Sequence, residues 1–77
     1  MKLKDMKIGD KAVITGYEKA SEKYRQKLLS MGLTRGTEII LAKYAPLGDP
    51  VELSVRDFKM SLRKEEAEIL ILEGENK

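Results

Sequence analysis

The sequence feature that most constrains the fold of this chain is the alternation of apolar and polar residues over positions 51–62. Side chains of a β-strand point alternately to its two faces, so this pattern predicts two strands that each bury one face. A two-residue loop at Arg56-Asp57 joins them as a hairpin, and Asp57 tolerates the positive φ that such a loop requires. The register that follows pairs Val51 with Leu62, Leu53 with Met60, Val55 with Phe58, Glu52 with Ser61 and Ser54 with Lys59.

Other segments add three strands and one helix to this hairpin. We predict strands over residues 11–17, 37–44 and 68–73, a helix over 21–31 and a short helical turn over 64–68. Short antiparallel strands interrupted by a single helix are typical of small, strongly bent barrels. The sequence therefore predicts one mostly β domain over residues 1–77, an SH3-like barrel of about five antiparallel strands. One α-helix is inserted after the first strand, and a short helical turn precedes the last.

The predicted helix has a recognisable beginning and end. Ser21 is a favourable N-cap, and Gly32 suits the left-handed position that follows a helix. We assign Gly36 to the turn that leads into the next strand. The residues expected to face the core recur at helical spacing, and they are Tyr24, Leu28 and Met31.

Leu29 falls outside this apolar stripe and lies one helical turn from Arg25. Two interpretations of this pair stay open. The pair covers the edge of the sheet, with Arg25 solvated, or it forms an exposed apolar and cationic patch of the kind that anchors protein interfaces. We keep Arg25 and Leu29 as candidate partner-binding residues.

Residues 45–50 read Ala-Pro-Leu-Gly-Asp-Pro and interrupt the strand pattern. Pro46 and Pro50 cannot donate to a β-ladder and Gly48 favours a turn, so we expect a rigid connection. This loop is only a stiff connection, or it presents Leu47 at an exposed tip as an apolar anchor with Asp49 beside it. Both interpretations stay open, and Leu47 and Asp49 complete the candidate partner-binding set.

The chain contains neither His nor Cys. These absences remove the usual general base near neutral pH, the thiol nucleophile, and metal sites built on imidazole or thiolate. We interpret Glu65, Glu66 and Glu68 as surface charge near a helix start. The sequence predicts no catalytic residue, no metal site and no cofactor, and we expect no enzyme activity.

Charge and hydropathy favour a soluble protein. The net charge is +2, from 15 Lys and Arg against 13 Asp and Glu. Both signs are mixed along the chain, whereas a polyanion binder is usually more lopsided. The N-terminal residues do not lead into an apolar signal region, and the longest apolar run, Ile69 to Leu72, is far below the ~20 residues that span a bilayer. We therefore expect a cytoplasmic protein.

Three segments resemble motifs of the ferrous-iron transport protein A family, FeoA, in the family's order. LLSMGLTRGT at residues 28–37 is similar to LLxLGLxPGT, APLGDP at 45–50 matches residue for residue, and SLRKEEA at 61–67 is similar to LR-x-x-EA. The chain departs from the family pattern at three positions. Arg35 stands where Pro is common, Asp57 where Gly is common and Lys27 where Arg is common.

The resemblance implies an SH3-like domain in the bacterial cytoplasm. It also implies a partner, ferrous-iron transport protein B, a membrane protein with a GTPase domain. The implied role is an accessory one that supports or regulates iron uptake, with the membrane reached only through that partner. If the family's Arg contacts the partner in a bidentate way, Lys27 is a poor substitute for it.

Two other functions stay open from the residues alone. The first alternative is a nucleic-acid-binding small β-barrel that uses the basic and aromatic residues Tyr17, Lys19, Lys23, Tyr24, Arg25 and Lys27. Glu18 and Glu22 lie among them, which favours a solvated helix face instead. The other alternative is a ligand-sensing accessory domain. Exposed strand edges also leave weak self-association open.

Overall fold

The structure, a computed structural model, describes residues 1–19 and 22–74. After a short 3₁₀ turn at Leu3–Asp5, the elements are β1 (Lys11–Tyr17), α1 (Glu22–Ser30), β2 (Glu38–Tyr44), β3 (Val51–Val55), β4 (Phe58–Leu62), α2 (Lys64–Ala67) and β5 (Leu70–Gly74). Ser21, the predicted N-cap of α1, lies outside the described residues. Neither described helix is long and apolar enough to cross a membrane.

All five strands form one antiparallel sheet in the order β4-β3-β2-β1-β5, which confirms the mostly β prediction. The predicted barrel is an open one, because β4 and β5 are outer strands that do not pair with each other in the described part of the chain. Register shifts between Ile14 and Gly16, and between Leu41 and Lys43, bend the two central strands β1 and β2. The sheet therefore curves around the core without closing.

The β3–β4 hairpin has the predicted register in all of its five pairs. Its loop differs from the prediction by one position, since Arg56, with φ 56°, is the residue in the left-handed region, not Asp57. The apolar face also ends earlier than the alternation suggests. Val55 is buried, but its partner Phe58 is 69% exposed, because the tip of the hairpin extends beyond the core.

Helix α1 packs on the sheet through Leu28, which is fully buried. The helix ends in a Schellman arrangement, in which the Leu33 N–H donates to Leu28 O and the Gly32 N–H donates to Leu29 O, each at 3.0 Å. Gly32 has φ 89°, a value that favours glycine. Two other residues of the predicted stripe pack against the core and are half-buried, namely Tyr24 and Met31.

Candidate partner-docking surface

The loop between β2 and β3 holds an apolar side chain out into solvent. The Ala45 N–H donates to Pro50 O at 3.0 Å and the Gly48 N–H donates to Ala45 O at 2.7 Å, so two backbone hydrogen bonds close the loop on itself. Leu47 at its tip is 95% exposed, the highest value among the described large apolar residues. A partner can reach this side chain without any rearrangement of the loop. Its role in binding stays a prediction.

Asp49 fastens this loop to α2. Its Oδ1 accepts a hydrogen bond from the backbone N–H of Lys64 at 2.9 Å. Lys64 is the first residue of α2, and the N–H groups of a first helical turn have no acceptor within the helix. Asp49 therefore positions the loop from within the chain, although the sequence suggested it as a contact residue for a partner. That contact role is untested and stays a prediction.

Helix α2 is joined to α1 by a buried charge. Lys27 Nζ lies 2.7 Å from Glu66 Oε2, and Glu66 Oε1 accepts the backbone N–H of Arg63 at 3.1 Å. Only 3% of Glu66 is exposed. The prediction that Glu66 is a surface charge is therefore wrong, because α2 lies against α1 and turns this side chain inward. Periodicity along a four-residue helix cannot reveal a partner that lies 39 positions away.

The environment of Glu66 keeps it ionised. Burial acts to raise the pKa of its carboxyl group, but the hydrogen bonds from Lys27 and from the Arg63 backbone outweigh burial. The charges of Lys27 and Arg63 act in the same direction, and the pKa lies below its ordinary value of 4.5. Glu66 is therefore a carboxylate at neutral pH. The ammonium of Lys27 is engaged within the chain.

A second contact joins the two helices. The Tyr24 hydroxyl donates to Glu65 Oε1 at 2.7 Å, and this interaction raises the pKa of Tyr24. Helix α2 thus receives side chains from two directions, Asp49 from the loop and both Lys27 and Tyr24 from α1. We call α2 together with these three contacts the α2 platform.

Arg25 and Leu29 lie on α1 but outside the α2 platform. The Cζ atom of Arg25 is 5.8 Å from the centroid of the Tyr17 ring, a cation–π distance. The Tyr17 hydroxyl in turn donates to Leu33 O at 2.6 Å. Leu29 is 39% exposed. Within the described residues, no side-chain hydrogen bond or ion pair links Arg25 or Leu29 to α2. The structure therefore places Leu47 and Asp49 on the loop between β2 and β3, and Arg25 and Leu29 on α1.

A cleft of about 290 Å³, which the sequence analysis did not predict, opens beside the Leu47 loop. The residues that line it come from the N-terminal segment, the end of β2, the loop, the start of β3 and α2: Leu3, Lys4, Tyr44, Gly48, Val51, Lys64, Ala67 and Glu68. Gly48 belongs to the APLGDP motif and Lys64 and Ala67 belong to the SLRKEEA motif, but neither motif predicts a cleft. The described residues contain no group of three His, Cys, Asp or Glu side chains that could hold a metal ion.

Comparison with known proteins assigns this arrangement to one family. A family model described as "FeoA domain" matches residues 1–73. The chain is 39% identical over 67 residues to the "Fe(2+) transport protein A/Fe(2+) transporter FeoB fusion protein" of Porphyromonas gingivalis. That alignment covers 87% of this chain and 8% of the relative, so the chain spans a small part of that protein's length.

Solved structures show the same fold. A FeoA-like protein from Clostridium acetobutylicum matches with a TM-score of 0.89 and 36% identity, over 100% of this chain and 88% of that one. FeoA of Stenotrophomonas maltophilia, described as a prokaryotic SH3 domain protein, matches with a TM-score of 0.79 and 22% identity, over 95% of this chain and 89% of that one. The fold is therefore SH3-like, with an open sheet.

Proposed function

Because the chain belongs to the FeoA domain family, we propose that it is an accessory protein of ferrous-iron uptake that acts in the cytoplasm by docking on the membrane GTPase transporter FeoB. The observation that best supports this proposal is the Porphyromonas gingivalis relative, whose name joins an FeoA part and an FeoB part in one protein. Covalent fusion holds two modules at an effective concentration of about millimolar, which favours modules that work in contact. We infer that this chain makes the same contact with FeoB.

The Leu47 loop is the part of the chain that we assign to this docking. An exposed apolar side chain on a rigid support loses little conformational entropy when a partner covers it. Two backbone hydrogen bonds and the Asp49–Lys64 contact provide that support. Leu29, at 39% exposure, has less apolar surface left to bury, so we place it and Arg25 at the margin of the contact.

The test is the affinity of the chain for its cognate FeoB, purified in detergent, measured by biolayer interferometry. Leu47→Asp places a charge in the proposed contact, and we expect a loss of at least about tenfold, the size of a hot-spot substitution. Phe58→Asp is the matched control, since Phe58 is also a large exposed apolar residue, 69% exposed, and it lies at the other end of β3. We expect it to change affinity by less than about twofold.

Thermal unfolding of both variants checks that each is folded. If Leu47→Asp binds FeoB as tightly as the unaltered chain does, the choice of surface is wrong. If the unaltered chain does not bind FeoB at all, the proposed function is wrong.

The geometry gives the nucleic-acid alternative no support. Four of the six residues that suggested it are engaged within the chain, since Arg25 stacks on Tyr17, Lys27 pairs with Glu66, and Tyr24 donates to Glu65. Binding to DNA or RNA that weakens steeply between 50 and 200 mM salt, a range of about fourfold in concentration, would reinstate this alternative.

A further inference from the structure

The cleft beside the Leu47 loop has both an apolar floor and a cationic rim. Its apolar lining comes from Leu3, Tyr44, Val51 and Ala67. Of these, Leu3, Val51 and Ala67 belong to the buried core, so the floor of the cleft is part of the rigid fold. Its volume of about 290 Å³ is at the lower limit for small-molecule sites, which start near 300 Å³. A cleft of this size suits one bulky side chain of a protein segment.

Charge sets the second requirement for what enters the cleft. Lys4 and Lys64 line it, and neither forms an ion pair with a described residue. Glu68 is the acidic residue in the lining, and it shares Lys2 with Glu18, since Lys2 Nζ lies 3.9 Å from Glu68 Oε1 and 3.2 Å from Glu18 Oε2. The charged residues of the lining itself, Lys4, Lys64 and Glu68, therefore sum to +1, and the two lysines are the ones without an ion pair to a described residue. An occupant that carries a carboxylate complements this positive charge.

We propose that this cleft receives a segment of the transporter in which a bulky apolar side chain is flanked by a carboxylate. This inference rests on the proposed function and adds to it the chemistry of the partner. The apolar side chain lies on the floor formed by Leu3, Val51 and Ala67. The carboxylate lies between the ammonium groups of Lys4 and Lys64. Leu47 precedes Gly48, which lines the cleft. The partner therefore covers the Leu47 side chain while its own apolar side chain occupies the cleft.

The test uses two small probes that differ only in charge, N-acetyl-leucine with its free carboxylate and N-acetyl-leucinamide without it. Each is titrated into the isotope-labelled chain and followed by ¹H–¹⁵N NMR. We expect saturable shifts of the Gly48, Val51 and Ala67 amide signals at millimolar concentrations, about the affinity such small contacts allow. We expect the acid to bind at least about threefold more tightly than the amide, as two partly exposed ion pairs allow.

A double variant tests the contribution of Lys4 and Lys64, the two lysines at the rim of the cleft, to binding of the acid. Lys4→Gln/Lys64→Gln lowers the affinity of the acid to that of the amide and leaves the amide unchanged. Lys7→Gln/Lys11→Gln removes the same charge from exposed residues that do not line the cleft, and it keeps the preference for the acid. Shifts centred on α1, equal binding of acid and amide, or loss of the preference in the second double variant would each overturn the inference.

FeoB binding separates this inference from the proposed function. If Lys4→Gln/Lys64→Gln binds FeoB as tightly as the unaltered chain, docking stands and the cleft is not its site. If the probes bind as expected but the unaltered chain does not bind FeoB, the proposed function fails, and so does the transporter as the occupant. A several-fold loss of FeoB affinity in the rim variant, with the second double variant unchanged, supports both.

Discussion

Strand β3 has an exposed apolar residue near each of its ends, but the two ends are built differently. Before Val51, the loop that carries Leu47 is closed by two backbone hydrogen bonds and tied to α2 through Asp49. After Val55, the chain turns over Arg56-Asp57 into Phe58. Within the described residues, no side chain of that turn forms a hydrogen bond or ion pair. One apolar tip is held by a neighbouring helix, and the other extends from a two-residue turn.

The two ends of β3 show which kind of exposed apolar residue favours binding. Exposed apolar residues are common on soluble proteins and need no function. A side chain becomes a useful anchor when its backbone is already fixed, because less entropy is then lost on association. The α2 platform supplies that support for Leu47 through side chains, whereas Phe58 is held by its strand pairing with Val55 and, within the described residues, by no side-chain hydrogen bond or ion pair of its turn. Stability measurements on the platform therefore test the comparison directly.

The largest expected effect follows from removing the cation of the α2 platform. Lys27→Met keeps the aliphatic stem but leaves the buried Glu66 carboxylate without its ammonium, and we expect a loss of about 2 kcal/mol in the free energy of unfolding. The matched control is Lys43→Met, since Lys43 lies 4.0 Å from Glu52 and its side chain is 67% exposed. We expect the control to change stability by less than about 0.5 kcal/mol. Urea unfolding at pH 7 measures both.

Hydrogen exchange on the same variant sharpens the comparison. Lys27→Met loosens α2, so the Gly48 amide should lose protection while amides of the β3–β4 pairing keep theirs. Equal loss of protection at both ends of β3 would contradict a separate role for the platform.

The next effect comes from cutting the tie between the loop and α2. Asp49→Ala removes the acceptor of the Lys64 N–H, and we expect a loss of about 1 kcal/mol, the usual value of such a helix-terminal contact. Asp57→Ala, in the other turn, removes no hydrogen bond to a described residue and should stay within about 0.5 kcal/mol of the unaltered chain. If both variants unfold at the same urea concentration, Asp49 does not hold the loop.

A smaller change in the free energy of unfolding is expected from pH, because burial of Glu66 partly offsets the lowering of its pKa by hydrogen bonds. A carboxyl group whose pKa is lower in the folded state stabilises the fold fully above the unfolded-state pKa of about 4.5, and this stabilisation is lost as pH falls through the folded value. Glu66→Gln should therefore have a lower free energy of unfolding than the unaltered chain at pH 7, and the difference between the two free energies should become smaller below pH 4.5. A gap that stays constant in urea unfolding from pH 7 to about pH 3 would contradict the assignment.

The sequence predicts those features of the fold and of the candidate site that depend on residues close together along the chain. The hairpin register follows from a period of two, and the end of α1 follows from Gly32, since each pattern is complete within a dozen residues. The loop was recognisable from Pro46 and Pro50. In contrast, the Lys27–Glu66 pair joins positions 39 apart, and the cleft combines Leu3 with Ala67. Such contacts depend on how elements pack, and no local pattern contains them.

The smallest effect concerns the turn that follows Val55 at the end of β3. Arg56 has φ 56°, a region that costs a side chain with a Cβ about 1 kcal/mol or more, whereas glycine adopts it freely. Arg56→Gly relieves that strain but adds flexibility to the unfolded chain, so we expect a net gain of about 0.5 kcal/mol. Asp57→Gly is the matched substitution one position later. Its φ is not positive, so glycine there relieves nothing and should lower stability by about 0.5 kcal/mol. If urea unfolding shows a gain in stability for Arg56→Gly and a loss for Asp57→Gly, the observed turn is supported. A gain in stability for Asp57→Gly would instead support the turn expected from the sequence.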